Sequence, residues 1–365
     1  MAAVHWLAVH PATGLPIAEL PGLRCGSSLT TLMGSSGGTV NISLPVADRL
    51  PENWRQATDP HRVLIVAQFD DPDETVLWAG IPMVRKTGGP TIELTLVDAH
   101  GYMDRVSNRF AWHFDRKDAA EIAADIFHSG MLDYYPGTGR TIYGAPHIEF
   151  DWPADETAYA AMVRLAEMGV VEWTADWRWE SPTADTEWGY IRRLWRTLHV
   201  APRIGRRATP TVTPFLLSRV EWTKTEDWGP GRGATQAVAI GQSSGDGDPP
   251  VVAYPSVSID PMRLVETVSV NSDDETVLLG EAQRKWAELS SGTTVYDVSL
   301  VVADSDILLG RDVALGDDVT VDLANPDCPD QDHSFDARLV GWTAEPDPDS
   351  GQITILKPIL VNREA

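Results

Sequence analysis

The sequence holds only two cysteines in 365 residues, Cys25 and Cys328. So few exclude a disulfide framework, and their separation gives no zinc-ligand spacing. Positive charge is also scarce: 29 Lys and Arg stand against 53 Asp and Glu, a formal net charge of −24. A chain this short of cations is a poor binder of nucleic acid, because that affinity comes from Lys and Arg displacing counterions. No apolar run approaches the roughly 18 residues of a membrane-spanning helix. The opening MAAVHWLAVHPATGLP has no basic residue before its apolar stretch, which His5, His10 and Pro11 interrupt, so it does not read as a signal peptide. A soluble chain made in a cytoplasm is expected, with no membrane insertion.

Catalytic motifs are missing too. Nine histidines are scattered, and none forms HxxxH or HExxH. There is no Walker A loop, no GxGxxG after a strand and no nucleophile elbow. Gly34–Gly38 (GSSGG) is glycine-rich, but no lysine follows and no helix opens there, so it reads as a turn. Glycosidase chemistry needs two carboxylates at a fixed separation, and Asp70/Asp71, Asp273/Asp274/Glu275, Asp304/Asp306 and Asp317/Asp318 are adjacent pairs and clusters. In so acidic a chain these read as solvated turns and helix caps. The loop Asn325, Asp327, Asp330, Asp332 has oxygen ligands enough for Ca²⁺, yet it lacks the DxDxDG order and contains two prolines. No enzyme activity, cofactor or metal is expected.

What is plentiful is tryptophan and turn-punctuated apolar runs. Seven of the 14 Trp (Trp173, Trp177, Trp179, Trp188, Trp195, Trp222, Trp228) lie in one central stretch. Trp at that density fills a core or anchors an interface, and the core reading is preferred. A sugar-binding role would require exposed Trp rings along a groove. The first hundred residues read as strands: Val4–Val9 and Leu15–Leu20 as a hairpin, then Thr39–Leu44, Arg62–Phe69, Thr75–Arg85 and Thr91–Val97 around a Gly88-Gly89-Pro90 turn. Two helices follow. Asp118 and Glu121 have capping-box spacing ahead of the first, with Gly130 as its stop; Asp155–Met168 is the second, ended by Gly169. Trp173, Trp177 and Trp179 then share one strand face, and a second strand near Trp188–Leu198 pairs with it. Strands at Leu216–Lys224 and Ala234–Gly241, a helix at Thr276–Leu289 and a final hairpin of Ala337–Ala344 with Gln352–Ile359 complete the reading.

The fold class is mainly β with α+β insertions, its short strands and turns pointing to a barrel or sandwich; that these form two tube-like antiparallel β-barrel domains is what the family resemblance given below implies. The expected segments are a first barrel (1–112), an α+β insertion (113–202), the start of a second barrel (203–250), an inserted helical segment (251–292) and the rest of that barrel (293–365). Charge is uneven across them. From Asp246 onward there are 24 acidic and 7 basic residues. Against this stands one basic island, Arg192, Arg193, Arg196, Arg203, Arg206 and Arg207, which is expected to meet an acidic patch on a neighbouring subunit.

Four segments carry a likeness to a known family: TVLWAGIPMVRKTGGPTIELTLVDAHGYMDRV (75–106), DETAYAAMVRLAEMGVVEWTADWRWE (155–180), ETVLLGEAQRKWAEL (275–289), and DVALGDDVTVDL (312–323) with the closing hairpin ARLVGWTAEPDPDSGQITILKP (337–358). In this order they resemble the tail hub, or baseplate hub, of long-tailed bacteriophages, particularly those of actinobacterial hosts. The resemblance implies a virion protein at the tail tip. Three chains would close a homotrimeric ring whose two barrels per copy present six similar surfaces. Its partners would be the distal tail protein or tail tube above, and a tip fibre, spike or receptor-binding protein below. DNA would pass through the lumen without specific binding. An acidic wall would repel it, and Asp317 and Asp318 are expected to line that channel. A different tail-tip adaptor, a host-carbohydrate-binding protein or a cell-wall hydrolase are the alternatives.

Overall fold

The computed structural model describes residues 3–47, 50–108, 110–131, 138–180, 192–209, 215–217, 220–242, 248–256, 262–302, 307–323 and 334–362. The acidic loop 325–332, weighed and set aside as a calcium site, and the Asp304/Asp306 pair lie outside them. In chain order the elements are β1 (Val4–Val9), β2 (Pro16–Glu19), β3 (Arg24–Cys25), β4 (Leu29–Leu32), β5 (Thr39–Pro45), α1 (Trp54–Ala57), β6 (Leu64–Phe69), β7 (Val76–Lys86), β8 (Thr91–Asp98), α2 (Ala99–Met103), β9 (Trp112–Asp118) and α3 (Ala119–Met131). Next come β10 (Thr138–Ile142), β11 (His147–Trp152), α4 (Ala158–Glu167), β12 (Glu172–Trp179), β13 (Leu194–Ala201), β14 (Phe215–Leu217), β15 (Glu221–Asp227), β16 (Gln236–Ile240), β17 (Val251–Tyr254) and β18 (Val265–Ser269). The chain closes with α5 (Glu275–Leu289), β19 (Thr293–Val301), β20 (Asp318–Asp322), β21 (Ser334–Pro346) and β22 (Ile353–Asn362). Strands outweigh helices about threefold, so the fold is mainly β.

The chain forms two compact units, residues 1–221 with 299–365, and residues 222–298. In the larger unit a seven-stranded sheet runs β2-β1-β6-β7-β8-β5-β3. Its interior strand β6 (LIVAQF) is buried at all six positions, the pattern of a strand covered on both faces. β5 and β8 alternate instead, with Val40, Ile42, Leu44 and Ile92, Leu94, Leu96 inward. Pro82 sits inside β7, where the register with β8 shifts between Pro82 and Val84. A residue without an N–H is tolerated at such a bulge.

The α+β part packs α3 and α4 with the three-stranded sheet β10-β13-β12 and the pair β11-β9. Asp118 Oδ1 accepts the Ala120 N–H at the start of α3, as its position predicts. Gly130 does not stop that helix, which runs to Met131. α4 begins three residues later than expected, because Thr157 rather than Asp155 caps it: the Thr157 hydroxyl accepts the Ala160 N–H. Trp173 is almost fully buried, and Trp177 and Trp179 are half-buried on the same strand face.

The C-terminal strands form a second sheet, with β14-β20-β21-β22 in order and Leu300 and Val301 of β19 paired to Leu356 and Ile355 of β22. The hairpin turn Asp347–Gly351 is where the sequence places it. The second half of β21 is bonded across its free edge by β4, with Gly341 opposite Leu32 and Ala344 opposite Leu29. A Cβ on Gly341 would lie 2.6 Å from the Thr31 carbonyl oxygen, so glycine permits this approach.

The smaller unit carries the sheet β17-β16-β18 with α5 packed on one face. Asp274 caps α5 through the Thr276 N–H, while Leu278, Ala282 and Leu289 are its buried side. Leu279 is 38% exposed, one residue past the stripe set by Leu278 and Ala282.

Candidate functional site

The arginine island does not form one surface. In β13 the inward positions are Leu194, Arg196, Leu198 and Val200, so Arg196 enters the interior by the same alternation as its apolar neighbours. It is 1% exposed, and its guanidinium lies 4.2 Å from the Phe127 ring centroid and 5.7 Å from that of Trp177. Arg192 donates to Glu74 at 2.5 Å, and Arg203 donates to Asp318 at 2.5 Å. Arg192, Arg196 and Arg203 are therefore engaged within the chain. Arg193, Arg206 and Arg207 remain exposed.

Asp317 and Asp318 correct the channel expectation. A lining carboxylate must face solvent, yet these residues are 6% and 1% exposed. Asp317 accepts the backbone N–H of Arg206 and of Ala314. Asp318 accepts Arg203 and the Ala208 N–H. Both carboxylates fasten the segment after β13 to the start of β20.

Beside them lies a pair that sequence reasoning missed. Arg338 of β21 donates to both carboxylate oxygens of Glu172 at the start of β12, at 2.7 and 2.5 Å, and to the carbonyls of Gly316 and Ile204. Glu172 also accepts the Ile204 N–H. Burial pushes the Glu172 carboxyl upward, but the Arg338 hydrogen bonds, the Ile204 N–H and the charges of Arg338 and Arg203 outweigh it and hold it below its ordinary value. Sequence alone offered one signal: Arg338 stands between Ala337 and the apolar run Leu339-Val340 in β21.

The GSSGG turn is a cradle for Asp98. Its carboxylate takes the Ser36 hydroxyl at 2.7 Å and the Gly37 and Gly101 N–H groups at 2.5 and 2.6 Å. His100 is buried against Trp173, with Nδ1 3.0 Å from the Ser35 carbonyl. Ser36 therefore donates its hydroxyl directly to a carboxylate. Asp71 likewise closes a turn by accepting the Thr75 N–H and hydroxyl.

A cavity of about 640 Å³ opens within the larger unit, walled by β7, β12, the turn before β7, and the neighbourhood of Trp342 on β21. Asp176 and His199 face each other across β12 and β13, with Nε2 3.2 Å from Oδ1. Arg178 donates to the other Asp176 oxygen at 2.8 Å. Trp179 donates to Gln68 at 2.8 Å. Among the described residues no three His, Cys, Asp or Glu side chains converge as a metal site would require. No described helix is long and apolar enough to cross a membrane.

No family model matches the sequence, and no curated protein matches it. Solved structures do. The tail protein from Neisseria meningitidis MC58 is similar over 98% of this chain and 96% of its own, with a TM-score of 0.51 and 13% identity. The 43 kDa tail protein of prophage MuSo2 from Shewanella oneidensis is similar over 99% and 98%, with a TM-score of 0.52 and 13% identity. The chain thus has the fold of these two tail proteins from end to end.

Proposed function

We propose that the chain is a structural, non-enzymatic component of a phage tail, and within the tail the hub of its tip. One observation carries this reading: the likeness to two tail proteins, one of them from a prophage, spans nearly the whole of this chain and of theirs. The order of the four resembling segments supports the hub role. So does the chemistry of the interior, where charged side chains such as Glu172, Arg338, Asp317 and Asp318 tie strands together.

Three copies close a ring, with the distal tail protein or tube above and a fibre, spike or receptor-binding protein below. Each interface is satisfied by the next copy. Arg193, Arg206 and Arg207 supply the basic side of that contact, against the acidic surplus of the last third. The lumen wall is drawn from exposed carboxylates of that third, so passing DNA is repelled. Mass measurement of the purified protein over a range of concentrations tests the assembly. A species of three times 39.9 kDa is expected; a monomer at every concentration that also fails to trimerise on the tail tube would overturn it.

A further inference from the structure

We propose that the turn between β6 and β7 is a salt-sensitive latch, which two arginines tie to the start of β13 and to the turn 307–313. This goes beyond the hub reading and does not depend on it.

Three separate segments of the larger unit meet at this turn. Arg192, just before β13, donates to the Glu74 carboxylate at 2.5 Å and to the Asp73 carbonyl at 3.4 Å. Arg311, in the turn 307–313, has Nη1 3.8 Å from Asp71 Oδ2. Among the described residues no backbone-to-backbone hydrogen bond crosses this junction. Its polar contacts run through the two arginine side chains. Pro72, Asp73, Glu74, Arg192 and Arg311 all line the cavity, and Pro72 and Asp73 are exposed, which puts the junction at the cavity rim.

Charge explains why the turn needs the arginines. Residues 70–74 hold four carboxylates, Asp70, Asp71, Asp73 and Glu74. Asp70 lies 3.7 Å from His5, and both side chains are exposed. Asp71 accepts the Thr75 N–H and hydroxyl within the turn. Glu74 has a φ of +49°, a left-handed conformation that costs energy for a residue with a Cβ. Mutual repulsion and this strain push the turn open, and the two guanidinium groups hold it closed.

The two contacts differ in burial. The Arg192 and Glu74 side chains are 28% and 44% exposed, so dissolved ions screen their attraction. The Asp71 carboxylate is 4% exposed, and Arg311 also donates to Asp312 at 2.7 Å, so that side is screened less. Salt therefore releases Arg192 first, while Arg311 anchors the turn.

The test is hydrogen exchange of the full-length protein, read by mass spectrometry at about 0.1 M and about 1 M NaCl. Between these the screening length falls from about 10 Å to about 3 Å. An unstructured peptide of residues 68–77 corrects for intrinsic rates, and β6 is the internal reference. Exchange in residues 70–75 is expected to rise about threefold at high salt, with β6 unchanged. R192Q should bring a similar rise at low salt and extend it to residues 307–313, which Arg192 does not bond directly. R311Q should raise the rate in the turn at both salt concentrations. R192K, which keeps the charge, should stay near the native rate. R62Q, an exposed arginine at the other end of β6, should change nothing. Rates in residues 70–75 indifferent to salt and to both glutamine substitutions would overturn the proposal. So would a rise after R192Q that stays confined to the turn.

Discussion

Arg338 and Glu172 meet in a two-pronged ion pair that joins the C-terminal hairpin to the α+β strand β12, 166 residues away in sequence. The guanidinium is 8% exposed and the carboxylate 27%, so the pair is only partly screened by water. Its fork geometry matches two parallel N–H···O bonds, which lysine cannot reproduce.

Breaking this pair from one side leaves a charge in a place built for two. R338M is expected to lower stability by about 3 kcal/mol, and R338K by nearly as much. The double substitution E172Q with R338M should recover part of the loss. Denaturant titration of the native protein, E172Q, R338M and the double variant closes the cycle.

Acid will weaken the same junction. The folded Glu172 carboxyl titrates below its ordinary 4.5, so its contribution is complete above that pH and fades as pH falls below it. His100 acts earlier. Burial pushes its imidazole below 6.5, Asp98 and the Ser35 carbonyl pull upward, and Arg196 adds to the downward push. The unfolded chain therefore takes up this proton first, and stability declines once pH drops through 6.5. Unfolding temperatures from about pH 7.5 to about pH 5.5 should fall in the native protein and fall less in H100Q.

Gly205 and Gly316 stand back to back. A Cβ on Gly205 would lie 2.0 Å from the Gly316 carbonyl carbon, and one on Gly316 would lie 2.4 Å from the Ile204 carbonyl oxygen. Both have φ of +88°. G205A and G316A are each expected to cost more than about 2 kcal/mol, since strain and collision add. G88A, at φ +126° but with open space around it, should cost less. Thermal unfolding of the three variants checks the ranking.

D318N should behave as an interior substitution. It weakens the hold on Arg203 and the Ala208 N–H, so a loss of about 2 kcal/mol in stability is expected. Were Asp318 a channel residue, the protomer would be unaffected and only DNA ejection would change.

Much of the strand layout was readable because alternation is a local signal. β1, β5 and β8 carry most of their inward residues at every second position, between turns of Gly, Pro and Asp. β4 was not readable. Its four residues, LTTL, have no marked pattern, and its partner lies some 310 positions away on β21. The arginine island failed for a related reason. Composition groups six arginines, whereas the strand period turns Arg196 inward and leaves Arg193 exposed. Asp317 and Asp318 misled because acidity in a chain of −24 suggests solvent, while backbone N–H groups beside Gly316 had recruited both. The cavity was invisible, since its lining comes from widely separated parts of the chain.

If the exposed arginines hold subunits together, charge reversal will separate them without unfolding them. R193E with R206E and R207E is expected to shift the assembly toward monomer, most strongly at low salt, with the unfolding temperature of the monomer unchanged. Analytical ultracentrifugation at two ionic strengths measures both effects.

The most direct measurement is a cryo-electron microscopy reconstruction of the purified assembly without imposed symmetry. The account predicts three copies around an open, predominantly acidic lumen wide enough for duplex DNA. A closed particle, or a monomer whose larger unit ends in a blind pocket with no neighbour across its sheet edges, would contradict it.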